Sequence, residues 1–223
     1  ANWLASAGGD GDNTVKLWDI VSSQEKFALR CGDSDDSVRS MVFSRDGKRL
    51  LSASNDQLTV WDAVSGQELL SWKGHTYALN ATGTSTQTHP VTSVAYSPDG
   101  KQLASASYDQ TVKVWDAITG QEMFTLRGHT RAVLIVAFSP DGKRLATAGD
   151  DGMLKVWDAT SGQELHTWSG TVSTGGNLTF SPDGKRLAAA SSDHSVKVWD
   201  AMTGQEMLTL KGHAGVVASV TFS

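Results

Sequence analysis

Two stretches of this 223-residue chain carry histidine, a hydroxyl residue, aspartate and tryptophan in the same order: His75, Ser105, Asp109, Trp115, and then His129, Thr147, Asp151, Trp157. A hydroxyl, an imidazole and a carboxylate are the parts of a nucleophilic relay, in which the base activates the hydroxyl and the acid orients the base. Ser6, Asp12 and Trp18 form most of a third set, which gains a histidine, His213, only if the two ends of the chain meet. A catalytic constellation is needed once. One that recurs along the chain belongs to the repeat, so no catalytic residue is expected and the chain is read as a non-enzyme.

Other chemistry has little support. Closely spaced carboxylates stand at 10–13 and 33–36, but neither run matches the twelve-residue calcium loop with its terminal glutamate. His89, His166 and His194 lack the partner spacing of a zinc site, and no glycine-rich phosphate cradle opens a helix. The single cysteine, Cys31, has no disulfide partner in the chain and no activating base nearby in sequence, and reads as a loop or strand-end residue. No metal and no cofactor are expected. Net charge is −5, with no Lys/Arg-rich block, which argues against nucleic acid. The first residues lack a basic segment followed by an apolar stretch, and no apolar run approaches about 18 residues, so neither a signal peptide nor a membrane span is expected. The compartment is left open, with the cytoplasm favoured.

The elements that must position these residues follow from self-similarity. Trp-Asp pairs at Trp18, Trp61, Trp115, Trp157 and Trp199 recur at nearly constant spacing, broken by a polar insertion at 77–88. Ser-Pro-Asp-Gly or a near relative precedes four of them, starting at Ser44 (with Arg45 for Pro), Ser97, Ser139 and Ser181. Within one unit, short β-branched and apolar runs alternate with turn residues, which reads as four strands. A four-stranded sheet cannot cover both of its faces alone, so the units must stack on one another. Radial stacking gives an all-β fold, a β-propeller of four-stranded antiparallel blades. The chain starts at the second strand of a unit and ends after a first strand. Five blades are therefore expected, closed by pairing residues 216–222 with the N-terminal strands. A single domain spans 1–223: a clasp blade of 1–30 plus 214–223, and further blades at about 37–73, 91–127, 133–168 and 175–210. The rival reading is an arc of a larger ring completed by another chain; a closed ring would be monomeric and an arc oligomeric.

Gly-His, Ser-Pro-Asp-Gly, Ser-x-Asp and Val-Lys-Val-Trp-Asp together resemble the WD-repeat family over essentially the whole chain, and the regular turns resemble its bacterial members. The resemblance implies that His, Ser or Thr, Asp and Trp of each unit form a structural hydrogen-bond network. Two blades should then be softer. The unit of Trp199 has Thr171 and Ala189 in place of His and Ser, and the unit of Trp61 has Gly32-Asp33 in place of Gly-His. The resemblance also implies a scaffold that docks a protein or peptide on the face carrying the turn between strands two and three and the start of strand one. On that face stand Asn55, Tyr108, Asp150 and Ser192 in the turns, and Arg39, Thr92, Leu134, Gly176 and Ala218 at the strand starts. Tyr108 and Arg39 are the leading anchors, since such side chains carry much of the energy at interfaces. The alternative is a regulatory or sensor module of a larger protein.

Overall fold

A computed structural model describes residues 3–8, 12–32, 37–79, 85–170 and 176–223, with backbone alone at 76–79 and 85–88. The repeated turn sets the strand ends. In Ser97-Pro98-Asp99-Gly100 the Ser97 hydroxyl donates to Asp99 Oδ1 at 2.7 Å, and Ser97 Oγ accepts the Gln102 amide at 2.9 Å. Gly100, at φ +71°, turns the chain where a side chain would be strained. The same bonds recur at Ser44, Ser139 and Ser181, so each unit begins with the same hairpin.

Five antiparallel sheets result, each a meander. The first has three strands, β1 (Trp3–Ala7), β2 (Thr14–Asp19) and β3 (Gln24–Arg30). The second holds β4 (Val38–Phe43), β5 (Arg49–Ser54), β6 (Gln57–Asp62) and β7 (Glu68–Lys73). The insertion builds a two-stranded sheet of its own, β8 (Thr76–Leu79) with β9 (Ser85–Thr88). Its intervening residues 80–84 lie outside the described residues. The third sheet holds β10 (Val91–Tyr96), β11 (Gln102–Ser107), β12 (Thr111–Asp116) and β13 (Glu122–Arg127). The fourth holds β14 (Val133–Phe138), β15 (Arg144–Gly149), β16 (Met153–Asp158) and β17 (Glu164–Ser169). The fifth holds β18 (Leu178–Phe180), β19 (Arg186–Ala190), β20 (Val196–Asp200) and β21 (Glu206–Leu210).

The cores lie between sheets, as stacking requires. Leu51, Leu58 and Val60 of the second sheet meet Val91, Leu103 and Trp115 of the third. Val112, Val114 and Leu126 of the third meet Val133, Leu145 and Trp157 of the fourth. Polar side chains fix the register of neighbouring innermost strands. Ser40 Oγ accepts from the Val94 amide at 3.1 Å and Ser93 Oγ from the Val136 amide at 3.3 Å. Asn177 Oδ1 accepts from the Val220 amide at 2.6 Å and its Nδ2 donates to the Val220 carbonyl at 2.6 Å. Counted back from the serine that opens each Ser-Pro-Asp-Gly turn, and from Ser223, these donors and acceptors occupy equivalent positions.

The expected closure is not formed. Residues 211–223 make no strand, and the sheet of β1 ends at three strands. Asn177, with Val217 against Ala190 and Val196, seats the C-terminal segment as the innermost element after the fifth sheet. The step repeated from sheet to sheet does not carry it round to β1. Both ends consequently show what the middle hides. Leu4 is 57% exposed where its equivalent Leu103 is at 0%, and Leu210 is 53% exposed where its equivalent Leu126 is at 3%.

Candidate functional site

One backbone irregularity builds the candidate binding face. In the ladder of β4 with β5, Val38 pairs with Ser54 and Ser40 with Ala53, so Arg39 is an extra, unpaired residue. Thr92 in β10 and Leu134 in β14 are the extra residues of the same bulge. A bulge bends the strand and re-aims a side chain. Here it brings the residues named from sequence into one concavity of about 460 Å³, where Arg39, Thr92, Leu134 and Gly176 meet Tyr108 from the β11–β12 turn. Tyr108 is 46% exposed, and Thr92 Oγ1 donates to the Val133 carbonyl at 2.6 Å. Asn55, Asp150, Ser192 and Ala218 do not line this mouth. Asp150 faces Arg131 at 3.6 Å instead, and Asn55 sits at φ +49° in a turn one residue shorter than its counterparts. Ser40, Ser93 and Asn177 also line the mouth and were missed, because their role depends on the neighbouring strand.

Two sheets bring their histidine sets together. His75 Nδ1 lies 2.8 Å from Asp109 Oδ2, His75 Nε2 lies 2.8 Å from Ser105 Oγ, and Trp115 Nε1 donates to that oxygen at 2.9 Å. In the next sheet, His129 Nδ1 lies 3.0 Å from Asp151 Oδ2, His129 Nε2 lies 2.8 Å from Thr147 Oγ1, and Trp157 Nε1 donates to Thr147 at 2.9 Å. An ionised carboxylate can only accept, so Nδ1 carries the proton and Nε2 takes the hydroxyl's. The distances suit a relay, but Ser105 and Thr147 are both at 0% exposure and each hydroxyl oxygen already accepts a tryptophan N–H. No substrate carbonyl can approach them. The arrangement holds neighbouring sheets together.

The remaining sheets depart from this pattern. Trp18 Nε1 donates to Ser6 at 2.8 Å and Asp12 accepts from the Thr14 amide, but His213, expected to complete that set, is exposed on the C-terminal segment. Ala189 gives Trp199 no hydroxyl; Thr171, Asp10, Gly11 and Asp33 to Asp36 lie outside the described residues. In the second sheet Cys31 takes over from the missing histidine. It is at 1% exposure, its Sγ is 3.3 Å from Ser52 Oγ, and Ser52 accepts from Trp61 Nε1 at 2.8 Å. Burial pushes the thiol's pKa up, so it is an inert filler. The ladder corrects the expected alignment: Cys31-Gly32, not Gly32-Asp33, stands in place of Gly-His, since Arg30 is equivalent to Lys73 and Arg127. Asp56, 4% exposed, has an Oδ2 without a hydrogen bond where the third and fourth sheets supply histidine, and Lys73 Nζ stands 3.5 Å away.

The buried pairs make stability fall on acidification. Burial opposes a charged His129 ring and, despite Asp151, holds its pKa below the ordinary value. Burial also opposes ionised Asp151, but the Thr130 amide, the His129 ring and the Met153 amide outweigh it and lower that pKa. Asp109 is lowered too, against its burial, by His75 and Thr111. A depressed folded-state pKa gives stability that is full above the unfolded value and lost as pH falls through the folded one. Urea midpoints should therefore decline below about pH 6.5 with His129, and again below about pH 4 with the aspartates. His129→Gln should flatten the upper limb; an unchanged slope would assign it elsewhere.

A stack of short antiparallel sheets, with repeated polar sets buried between them, is the build of a β-propeller-type repeat protein. The family description "WD domain, G-beta repeat" matches residues 1–19, 26–62, 66–116, 120–158 and 162–200, and the chain belongs to that family. Among similar proteins, "Cell division cycle 20.1, cofactor of APC complex" of Arabidopsis thaliana is 33% identical over 119 residues, covering 52% of this chain and 23% of that protein. "Guanine nucleotide-binding protein subunit beta" of Schizosaccharomyces pombe is 29% identical over 109 residues, covering 49% and 32%. "Pre-mRNA-splicing factor cwf17" of the same yeast is 26% identical over 154 residues, covering 55% and 45%. The match thus spans less than half of each relative's length. All three are eukaryotic, so they lend nothing to the expected likeness to bacterial members.

Proposed function

We propose that the chain is a non-enzymatic scaffold that docks a protein or peptide at the bulge-lined mouth, with Tyr108 and Arg39 as anchors. The observation that carries this is the convergence of three bulged residues from three sheets, Arg39, Thr92 and Leu134, on one concavity beside Tyr108. The names of the relatives, a cofactor of a complex and a subunit, support a binding role. Affinity capture with the wild-type chain, Tyr108→Ala and Arg39→Ala tests it. Truncating an interface tyrosine or arginine of this kind costs about 2 kcal/mol or more, so the captured partner should be lost by a factor of at least about ten. A partner retained equally by both variants overturns the assigned face.

A second reading, a regulatory module within a larger protein, draws on the matched span being under half of the relatives' length. In either case the exposed Leu4, Leu208 and Leu210 argue that the two end sheets are covered in the working molecule. Closure on itself would bring Ser219 to the Met41 amide, repeating the bond of Ser40 with Val94. Light scattering separates the outcomes: a monomer follows from self-closure, and concentration-dependent association from an arc completed by other chains.

A further inference from the structure

The turns at the far end of the strands from the mouth leave a groove between the second and third sheets. Its open part, about 690 Å³, is lined by four cations, Arg45, Lys48, Arg49 and Lys101, together with Leu69 and Ile118. A smaller arm of about 220 Å³ runs inward over Val60, Leu70 and Ala117. Leu69 is 44% exposed and Ile118 is 66% exposed.

Three carboxylates also line the groove, but each is turned into its own loop. Asp46 Oδ1 accepts from Ser44 Oγ and the Lys48 amide, and Asp99 Oδ1 from Ser97 Oγ and the Lys101 amide. Asp62 Oδ1 accepts from the Val64 and Ser65 amides. Among the described residues no ion pair joins any of the four cations to a carboxylate. Arg49 donates to the Ala117 carbonyl at 3.2 Å, and the other three cations are exposed.

The equivalent position between the fourth and fifth sheets is filled. There Arg144 donates to the carbonyls of Gly184 at 2.7 Å and Ala201 at 3.4 Å, lies 3.0 Å from Met202 Sδ, and stacks over Phe180 at 5.6 Å. The open groove also carries a charge its siblings lack, because Arg45 stands where the other turns have Pro98, Pro140 and Pro182.

We propose that this groove binds an acidic peptide segment, whose carboxylates meet Arg45, Lys48 and Lys101 while an aliphatic side chain lies on Leu69 and Ile118. The turn amides of Gly47, Lys48, Gly100 and Lys101 are all donated within the turns, so no backbone nest is left for a compact phosphate. Cations dispersed around an apolar floor match charges spread along an extended chain.

The test is a selection of displayed random peptides of about eight residues against the whole chain, followed by binding of the enriched peptides in solution. Enriched peptides should combine Asp or Glu with Leu, Ile or Met. They should bind Arg45→Pro/Lys101→Gln at least about tenfold more weakly, weaken similarly when Gln replaces their Glu, and bind Tyr108→Ala unchanged. Arg45→Pro restores the residue of the sibling turns, and a melting curve verifies that the double variant folds. Failure to enrich acidic peptides, equal binding by the double variant, or loss with Tyr108→Ala would overturn the proposal; the last would send the peptides to the mouth instead.

Discussion

Trp157→Ala should bring the chain close to unfolding. The ring is 2% exposed and shares a core with Val112, Val114 and Leu126 of one sheet and Val133 and Leu145 of the next. Truncating such a side chain costs about 3–5 kcal/mol, from lost burial and the cavity left behind. Against a typical total of about 5–15 kcal/mol that is a large fraction. Trp157→Phe loses part of the buried ring and, in addition, the N–H bonded to Thr147, worth about 0.5–1.5 kcal/mol. Trp199→Phe is the control, because Ala189 offers its indole no hydroxyl. Urea midpoints are the readout. A Trp157→Ala variant within about 1 kcal/mol of wild type would mean that adjacent sheets are not held by these rings.

Asp151→Ala is expected to cost nearly as much. Its side chain is 4% exposed and accepts from three groups, the His129 ring, the Thr130 amide at 2.8 Å and the Met153 amide at 3.0 Å. Removing it leaves those donors buried without an acceptor, at about 1–3 kcal/mol each for those that water cannot reach. The aspartate of the fifth sheet, Asp193, is exposed and accepts through Oδ1 from the Ser195 amide and hydroxyl, so Asp193→Ala should shift the midpoint much less. Equal shifts would show that the polar set is interchangeable with an ordinary turn aspartate. They would also remove the reason for calling the fifth sheet one of the two softer ones.

The strand count of each unit, the turns at Ser44, Ser97, Ser139 and Ser181, and the pairing of Ser105 and Thr147 with their tryptophans were legible because they depend on neighbours close in sequence. The mouth was legible in part. Arg39, Thr92, Leu134 and Tyr108 could be named from their place in the repeat, but that the first three are unpaired bulge residues depends on the ladder with the next strand. Cys31 follows the end of β3, as expected, but its burial against Ser52 was not legible because Ser52 belongs to the following sheet. The pairing expected of residues 216–222 with the N-terminal strands is not formed in the structure. Complementary ends suggest a ring, but the contact of Asn177 with Val220, at the repeat's own position, ties the segment to the fifth sheet alone. The basic groove escaped too, since Arg45 reads as a lone departure from proline until Lys101 is seen across from it.

The bulge has a consequence for how such a chain diversifies. Arg39, Thr92 and Leu134 differ in charge, size and polarity, yet their strands keep the same pairing on either side. A residue that holds no place in the ladder is released from the selection that preserves β-structure. Substitutions there can retune what the surface recognises while the pairing of the strands is kept, so that duplicated units can acquire new ligands one residue at a time.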